Sequence, residues 1–429
     1  MNQIKTMNIL EKIKQNQILK RITFFLAIFG PGVVTGSVDN DAGGITTYSV
    51  AGASYGYGLI WTLIPSFIAL SVVQEMNLRM GVFTGKGLAD LIRENFGVKI
   101  TFWIFLGLLV ADLGNTATEF AGVAGSMDIF GVSKYISVPL TAIAVWVLVT
   151  KGNYKLTERI FLLFSVCLLS YVVSALQAKP DWHRVATSVI KPEIQWNKEY
   201  FTMVLGIIGT TIAPWMQFYM QSAVIEKGTH EDNYKMATLD TIIGCVATVV
   251  VAFFIIVSCA ATLHENGIVI HEAKDAALAL KPFAGAFASH VFAFGLFIAS
   301  VFSATILPLA TAFYICEAFG FEAGVDKRVN EAPQFYALFA FILIVGVAVI
   351  LIPNAPLIQI TLWTQVINAL LLPVVLISMI LMVNNPEIMG DKINSRFQNI
   401  VGWSTTIVLI ALTAMLLITT FLPVFGKTG

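Results

Sequence analysis

The run Gly36-Ser37-Val38-Asp39-Asn40-Asp41-Ala42-Gly43-Gly44 puts two carboxylates and three glycines halfway along the first strongly apolar stretch, where a membrane helix would be uninterrupted. Ionisable groups at membrane depth are costly unless they pair or line a cavity, so Asp39 and Asp41 mark a candidate site for something positive or polar. The competing reading makes the run a loop between two short helices, with its acids in water.

The rest of the chain gives that run a membrane context. Of 429 residues, 57% are hydrophobic and only 12% charged, and the mean hydropathy is +0.80. Repeated apolar stretches separated by polar links define an all-α polytopic membrane protein and exclude an ordinary soluble domain. Basic and acidic residues number 26 each, so no excess positive charge points to nucleic acid. Cys167, Cys245, Cys259 and Cys316 lie in or at the edges of apolar stretches without CxxC spacing and read as packing residues.

Hydropathy yields eleven spans, near 22–53 (interrupted), 56–76, 101–128, 134–149, 158–176, 201–224 (interrupted), 238–261, 286–315, 334–352, 358–383 and 403–424. Residues 1–21 form a basic cytoplasmic leader, 177–200 a long external loop with Trp182 and Trp196 as interface anchors, and 384–402 a cytoplasmic link. With the N-terminus inside, 18 of the 26 Lys and Arg fall on the cytoplasmic side; an odd number of spans then puts the C-terminus outside. This fits a multi-pass protein of the plasma (inner) membrane.

The first interruption has a counterpart in Gly209-Thr210-Thr211-Ile212-Ala213-Pro214-Trp215-Met216-Gln217, where Pro214 cannot donate to a helical ladder. Alone, that proline signals a kink as readily as a break. Yet the two interruptions, at Gly43 and Pro214, occupy the first and sixth spans. Corresponding breaks in two five-span halves, 22–176 and 201–383, point to a transporter of inverted repeats with its site at the bilayer midplane. Asp41 and Asp39 offer hard anionic oxygens, and carbonyls near Gly43-Gly44 and Ala213 add neutral ones, a set suited to Mg²⁺ or Mn²⁺. Na⁺ or an organic cation would be served by the same groups.

Several motifs match a known family. Gly30-Pro31-Gly32 leads to Asp41-Ala42-Gly43-Gly44 and Gly52-Ala53; Thr84-Gly85-Lys86 precedes Leu88-Ala89; Glu119 is followed by Gly122 and Ala124. Gln365-Val366 with Leu372-Pro373, and Met389-Gly390 with Asn394 and Arg396, complete the series. The chain resembles the natural resistance-associated macrophage protein (Nramp) family of divalent-metal transporters across residues 25–420. The resemblance implies the 5+5 fold of the bacterial leucine transporter, with Asp41 as the metal-binding aspartate. Gly44 stands where that family has a metal-binding asparagine. The family's sixth-span Met-Pro-His reads Ala213-Pro214-Trp215, so the soft sulfur ligand is missing.

A thioether favours softer ions, and Mg²⁺ usually keeps several waters, so Ala213 and Gly44 suit a partly hydrated hard ion. The pattern is similar to a divergent Nramp-related magnesium-transporting branch. The expected substrate is Mg²⁺ with Mn²⁺ tolerated. The resemblance also places Thr116 and Trp215 where the family has a titratable Asp and His, which implies movement without proton coupling. Glu119 remains, and Asp112 one turn before Thr116 offers an alternative proton path. Gln365 could approach the ion in one state; Asn368, one turn on, reads as pathway-facing or as an interhelical contact. Gln217 could hold an ion-bound water or bridge two helices. Glu75 and Arg79 read as a structural i, i+4 pair.

The alternatives are a proton-coupled Mn²⁺ or Fe²⁺ importer and a sodium-coupled solute symporter. A membrane enzyme finds no nucleophile, base and oxyanion donors at one depth. No cofactor is implied, since the divalent ion is the substrate. The partners expected are divalent cations and the lipid bilayer, without an obligate protein partner.

Overall fold

The computed structural model describes residues 35–36, 38–151, 169–271, 273–325 and 327–421. The leader at 1–21, the start of the first span with Gly30-Pro31-Gly32, Ser37, most of the fifth span with Cys167, and residues 422–424 of the last span lie outside them. Among the described residues there is no strand. The longer helices are α1 (Ala42–Tyr55), α2 (Leu63–Thr84), α3 (Leu88–Ile129), α4 (Lys134–Lys151), α5 (Leu169–Gln177), α6 (Trp182–Ile190) and α7 (Lys198–Thr211). They continue with α8 (Pro214–Glu226), α9 (Tyr234–Thr262), α10 (Ala288–Phe319), α11 (Pro333–Leu351), α12 (Leu357–Val383) and α13 (Arg396–Phe421).

Eight helical stretches of described residues are long and apolar enough to cross a membrane, counting α7 and α8 together. The apolar window of Lys198–Glu226 is 89% buried and that of Arg396–Ile418 only 22%, so the broken pair is central and α13 peripheral. Lipid tails are as apolar as leucine, so close van der Waals packing, more than apolar burial, holds such helices together. Gly209 shows what this requires: a Cβ there would collide with the Gln365 carbonyl oxygen and lie 2.8 Å from Ala369 N, so α7 meets the α12 backbone directly. The α3 helix runs along α10, and α1 lies against α9 and α7.

Several features differ from the hydropathy reading. The second span, expected at 56–76, is a helix at Leu63–Thr84, because Gly56 at φ 55° ends α1 and a 3₁₀ turn at Ile60–Thr62 intervenes. Its later half carries Gln74, Glu75, Asn77 and Arg79, whose polarity hides it from an apolar window but whose buried partners keep it helical. The third span, expected at 101–128, forms the later part of α3, and a shorter helical segment from Leu88 precedes it across a break in the backbone at Gly97 (φ 76°). The external connection at 177–200 contains α6, capped by Asp181, which accepts from His183 N at 3.0 Å and Arg184 N at 3.1 Å. Arg396, expected in the 384–402 link, already starts α13.

The Glu75–Arg79 pair is part of a larger clamp. Arg79 Nε lies 3.1 Å from Glu75, while its terminal nitrogens donate to Lys392 O (2.9 Å), Ile393 O (2.8 Å) and Asn394 Oδ1 (2.5 Å). Glu75 in turn accepts from Gln398 Nε2 at 2.5 Å and from Tyr234 OH. One cluster therefore ties α2 to the link, to α13 and to α9.

Candidate functional site

Both interruptions are true breaks. Residues 38–39 are helical, Asn40 turns, and Asp41 is extended (φ −76°, ψ −171°) as the N-cap of α1, its Oδ1 accepting from Gly44 N at 2.7 Å. The capping carboxylate suits a helix N-terminus, where free N–H groups and the macrodipole favour negative charge. At the second interruption, Ile212 (φ −128°, ψ 62°) and Ala213 (φ −69°, ψ 141°) leave the helix, and Pro214 opens α8 as its first residue, a position that needs no N–H. Gly43, expected as a breaking residue, lies inside the first turn of α1. Its missing side chain instead admits Gln365 Nε2 from α12.

Carboxylates converge on the first break. Asp39 is 2% exposed, Asp41 8% and Glu119 0%. The Asp41 and Glu119 carboxyls are within hydrogen-bonding reach of each other, and Ala42 N donates to Glu119 Oε2 at 3.4 Å. Asp39 Oδ2 and Glu119 Oε1 are buried without a hydrogen-bond partner. Adjacent anionic oxygens in a low-dielectric interior repel, and a cation offsets that cost. Among the described residues, no group of three or more His, Cys, Asp or Glu side chains is placed to hold a metal ion together.

The surrounding helices support the break. Thr248 Oγ1 donates to Gly36 O at 2.8 Å and Ser303 Oγ to Val38 O at 3.4 Å, so α9 and α10 satisfy carbonyls at its start. The Tyr48 and Thr211 hydroxyls meet at 2.8 Å, joining α1 to the last turn before the second break. Sequence reasoning missed this pair; Tyr48 lies two helical turns beyond Asp41 on the same helix, which was the available signal.

The other candidates are distributed around this centre. Gly44 and Ala213 present no side-chain ligand. Gln217, read as a water holder or a helix bridge, bridges: its Oε1 accepts from Asn77 Nδ2 at 2.6 Å and Gln74 Nε2 at 3.3 Å, and its Nε2 donates to Ala213 O at 3.1 Å. Trp215 is 2% exposed in the core around α8, its ring 6.1 Å from that of Tyr219. Thr116 is buried with its hydroxyl unpartnered and its methyl group against Gly346 of α11. Asp112 accepts from Thr311, Tyr314 and Asn115, and Asn115 connects through Asn368 to Gln365. Cys245, Cys259 and Cys316 are buried free thiols, consistent with packing.

Fold and site together define a many-helix membrane protein with two helix breaks, at Asp41 and at Ile212-Ala213, around a buried polar centre. The family model described as natural resistance-associated macrophage protein-like matches residues 32–419, and the chain belongs to this Nramp family. The divalent metal cation transporter MntH of Yersinia pestis (strain Pestoides F) is 26% identical over 411 residues, covering 92% of this chain and 95% of that one. MntH of Klebsiella pneumoniae is 24% identical over 409 residues, covering 93% and 95%. The Eremococcus coleocola manganese transporter, solved in complex with an aromatic bis-isothiourea compound, superposes with a TM-score of 0.72 at 21% identity, covering 94% of this chain and 88% of that one. Mhp1, a nucleobase-cation-symport-1 family transporter in a closed conformation, gives a TM-score of 0.58 at 12% identity, covering 92% and 93%. These likenesses show a shared fold, and the chain is a multi-pass membrane protein.

Proposed function

We propose that this protein moves divalent metal cations across the membrane by alternating access, favouring Mg²⁺, tolerating Mn²⁺ and carrying no stoichiometric proton. The observation behind this reading is the pairing of buried, unpartnered acidic oxygens at Asp39 and Glu119, around Asp41, with the bare positions Gly44 and Ala213. Charge attracts a cation, and the lack of an amide or thioether side chain leaves its water in place. The divalent-cation relatives named above support the substrate class.

The proposal includes eleven spans in two inverted five-span halves plus a last helix, with the N-terminus cytoplasmic in the plasma (inner) membrane. An inside-negative potential then favours entry of a divalent ion by about 4.6 kcal/mol per 100 mV, enough to drive uptake without protons. A second reading, a proton-coupled Mn²⁺ or Fe²⁺ importer, draws on the contact between Asp41 and Glu119, because a carboxyl displaced by metal can release a proton.

Reconstituted uptake of Mg²⁺, Mn²⁺, Fe²⁺ and Ca²⁺ with simultaneous recording of internal pH separates the two. Saturable Mg²⁺ uptake at constant internal pH is expected. Mn²⁺ uptake without Mg²⁺ transport or competition would overturn the magnesium preference, and stoichiometric acidification at a fixed potential would overturn the uncoupled mode.

A further inference from the structure

Asp112 lies on α3, seven residues before Glu119, and is 1% exposed. Its Oδ2 accepts from Thr311 Oγ1 at 2.8 Å and Tyr314 OH at 2.5 Å, and its Oδ1 accepts from Asn115 Nδ2 at 2.9 Å. A carboxylate can only accept, so it obliges Asn115 to turn its amide nitrogen inward. Asn115 Oδ1 then faces α12 and accepts from Asn368 Nδ2 at 2.8 Å, while Asn115 Nδ2 also reaches Asn368 Oδ1 at 3.2 Å. Asn368 Nδ2 gives its other hydrogen to Gln365 Oε1 at 3.0 Å. What Gln365 has left is Nε2, and this lies against Gly43, on the side of the first turn that also carries Asp41 Oδ1.

A carboxamide exchanges donor for acceptor by a half turn, so three in series have two self-consistent polarities. In one, Gln365 shows its nitrogen to the break; in the other, its oxygen. Asp112 selects the first, because reversal would set Asn115 Oδ1 against a carboxylate oxygen and leave both without a donor. We propose that Asp112 is a positioning residue that acts through Asn115 and Asn368 to keep the Gln365 oxygen turned away from the cation site. The proposal rests on the cation-transport reading given above. An N–H group aimed into the break opposes a cation and offers Asp41 a neutral donor in its place. The ion is therefore held loosely, as release during transport requires.

The test is Mg²⁺ and Mn²⁺ binding to the purified full-length protein by isothermal titration calorimetry. In Asp112→Asn, the new amide nitrogen can donate to Asn115 Oδ1 while the amide oxygen still accepts from Tyr314, so the series is free to reverse and present Gln365 Oε1 to the ion or its water. Kd is expected to fall about tenfold, a change of about 1.4 kcal/mol. General damage to the fold would weaken binding, so the direction separates positioning from support. Adding Gln365→Ala to both the wild-type protein and the Asp112→Asn variant should abolish the difference between them. Asn368→Leu, which cuts the series and leaves the partners of Asp112 in place, should tighten binding in the same direction, and it carries the test if Asp112→Asn does not fold. Unchanged or weaker binding in a folded variant, or tightening that persists with Gln365→Ala, overturns the proposal. Wild-type protein that binds neither ion overturns the transport reading and this proposal together; wild-type binding without the shift overturns this proposal alone.

Discussion

At the residue scale, the proposed Mg²⁺ preference rests on Gly44 and Ala213, two positions defined by what their side chains lack. Ala213 leaves the helix with an extended backbone, and its carbonyl already accepts from Gln217 Nε2 at 3.1 Å, so its side chain adds no donor atom. Ala213→Met would supply a polarisable sulfur beside hard oxygens. Competitive uptake should then shift toward Mn²⁺ over Mg²⁺ by about tenfold, about 1.4 kcal/mol; an unchanged ratio would place the filter elsewhere. The acidic residues and the Ala213-Pro214 step were legible in the sequence, because charge, glycine and proline stand out in apolar runs. The Tyr48–Thr211 contact and the choice made by Gln217 were not, since an amide or hydroxyl fits a water site and a helix contact equally well. Only the facing residues, Asn77 and Gln74 for Gln217, decide between them.

At the scale of elements, α2 shows how a polar helix is kept in a membrane protein. Arg79 is 6% exposed and holds Lys392 O, Ile393 O and Asn394 Oδ1 while paired with Glu75. Arg79→Met would strand Glu75 and three acceptors, and breaking such a pair from one side costs about 3 kcal/mol. Thermal unfolding of the purified variant should show the loss, and a wild-type Tm would mean that the clamp contributes nothing. The i, i+4 spacing revealed the pair but not its partners more than 300 residues away. The same polarity displaced the second span: the apolar reading stops at residue 76, whereas the helix continues to Thr84 because neighbours satisfy its polar groups. Hydropathy weighs transfer into lipid and has no knowledge of such pairing.

At the scale of the molecule, the many-helix architecture was readable because each long apolar run must close its own backbone hydrogen bonds in lipid. Eight stretches of described residues meet that requirement, and the broken α7–α8 pair sits deepest among them. The fold places α1 and its capping Asp41 against α7, α9 and α12, so that one carboxylate stands where several helices meet. In the proposed transport, membrane potential acts on a divalent ion at that carboxylate. The most direct measurement is Mg²⁺ uptake into proteoliposomes at a fixed inside-negative potential, comparing wild-type protein with folded Asp41→Ala. Saturable wild-type uptake that falls to the protein-free level in the variant is the expected result; wild-type flux no greater than that of empty liposomes, or undiminished flux without the Asp41 carboxylate, would contradict it.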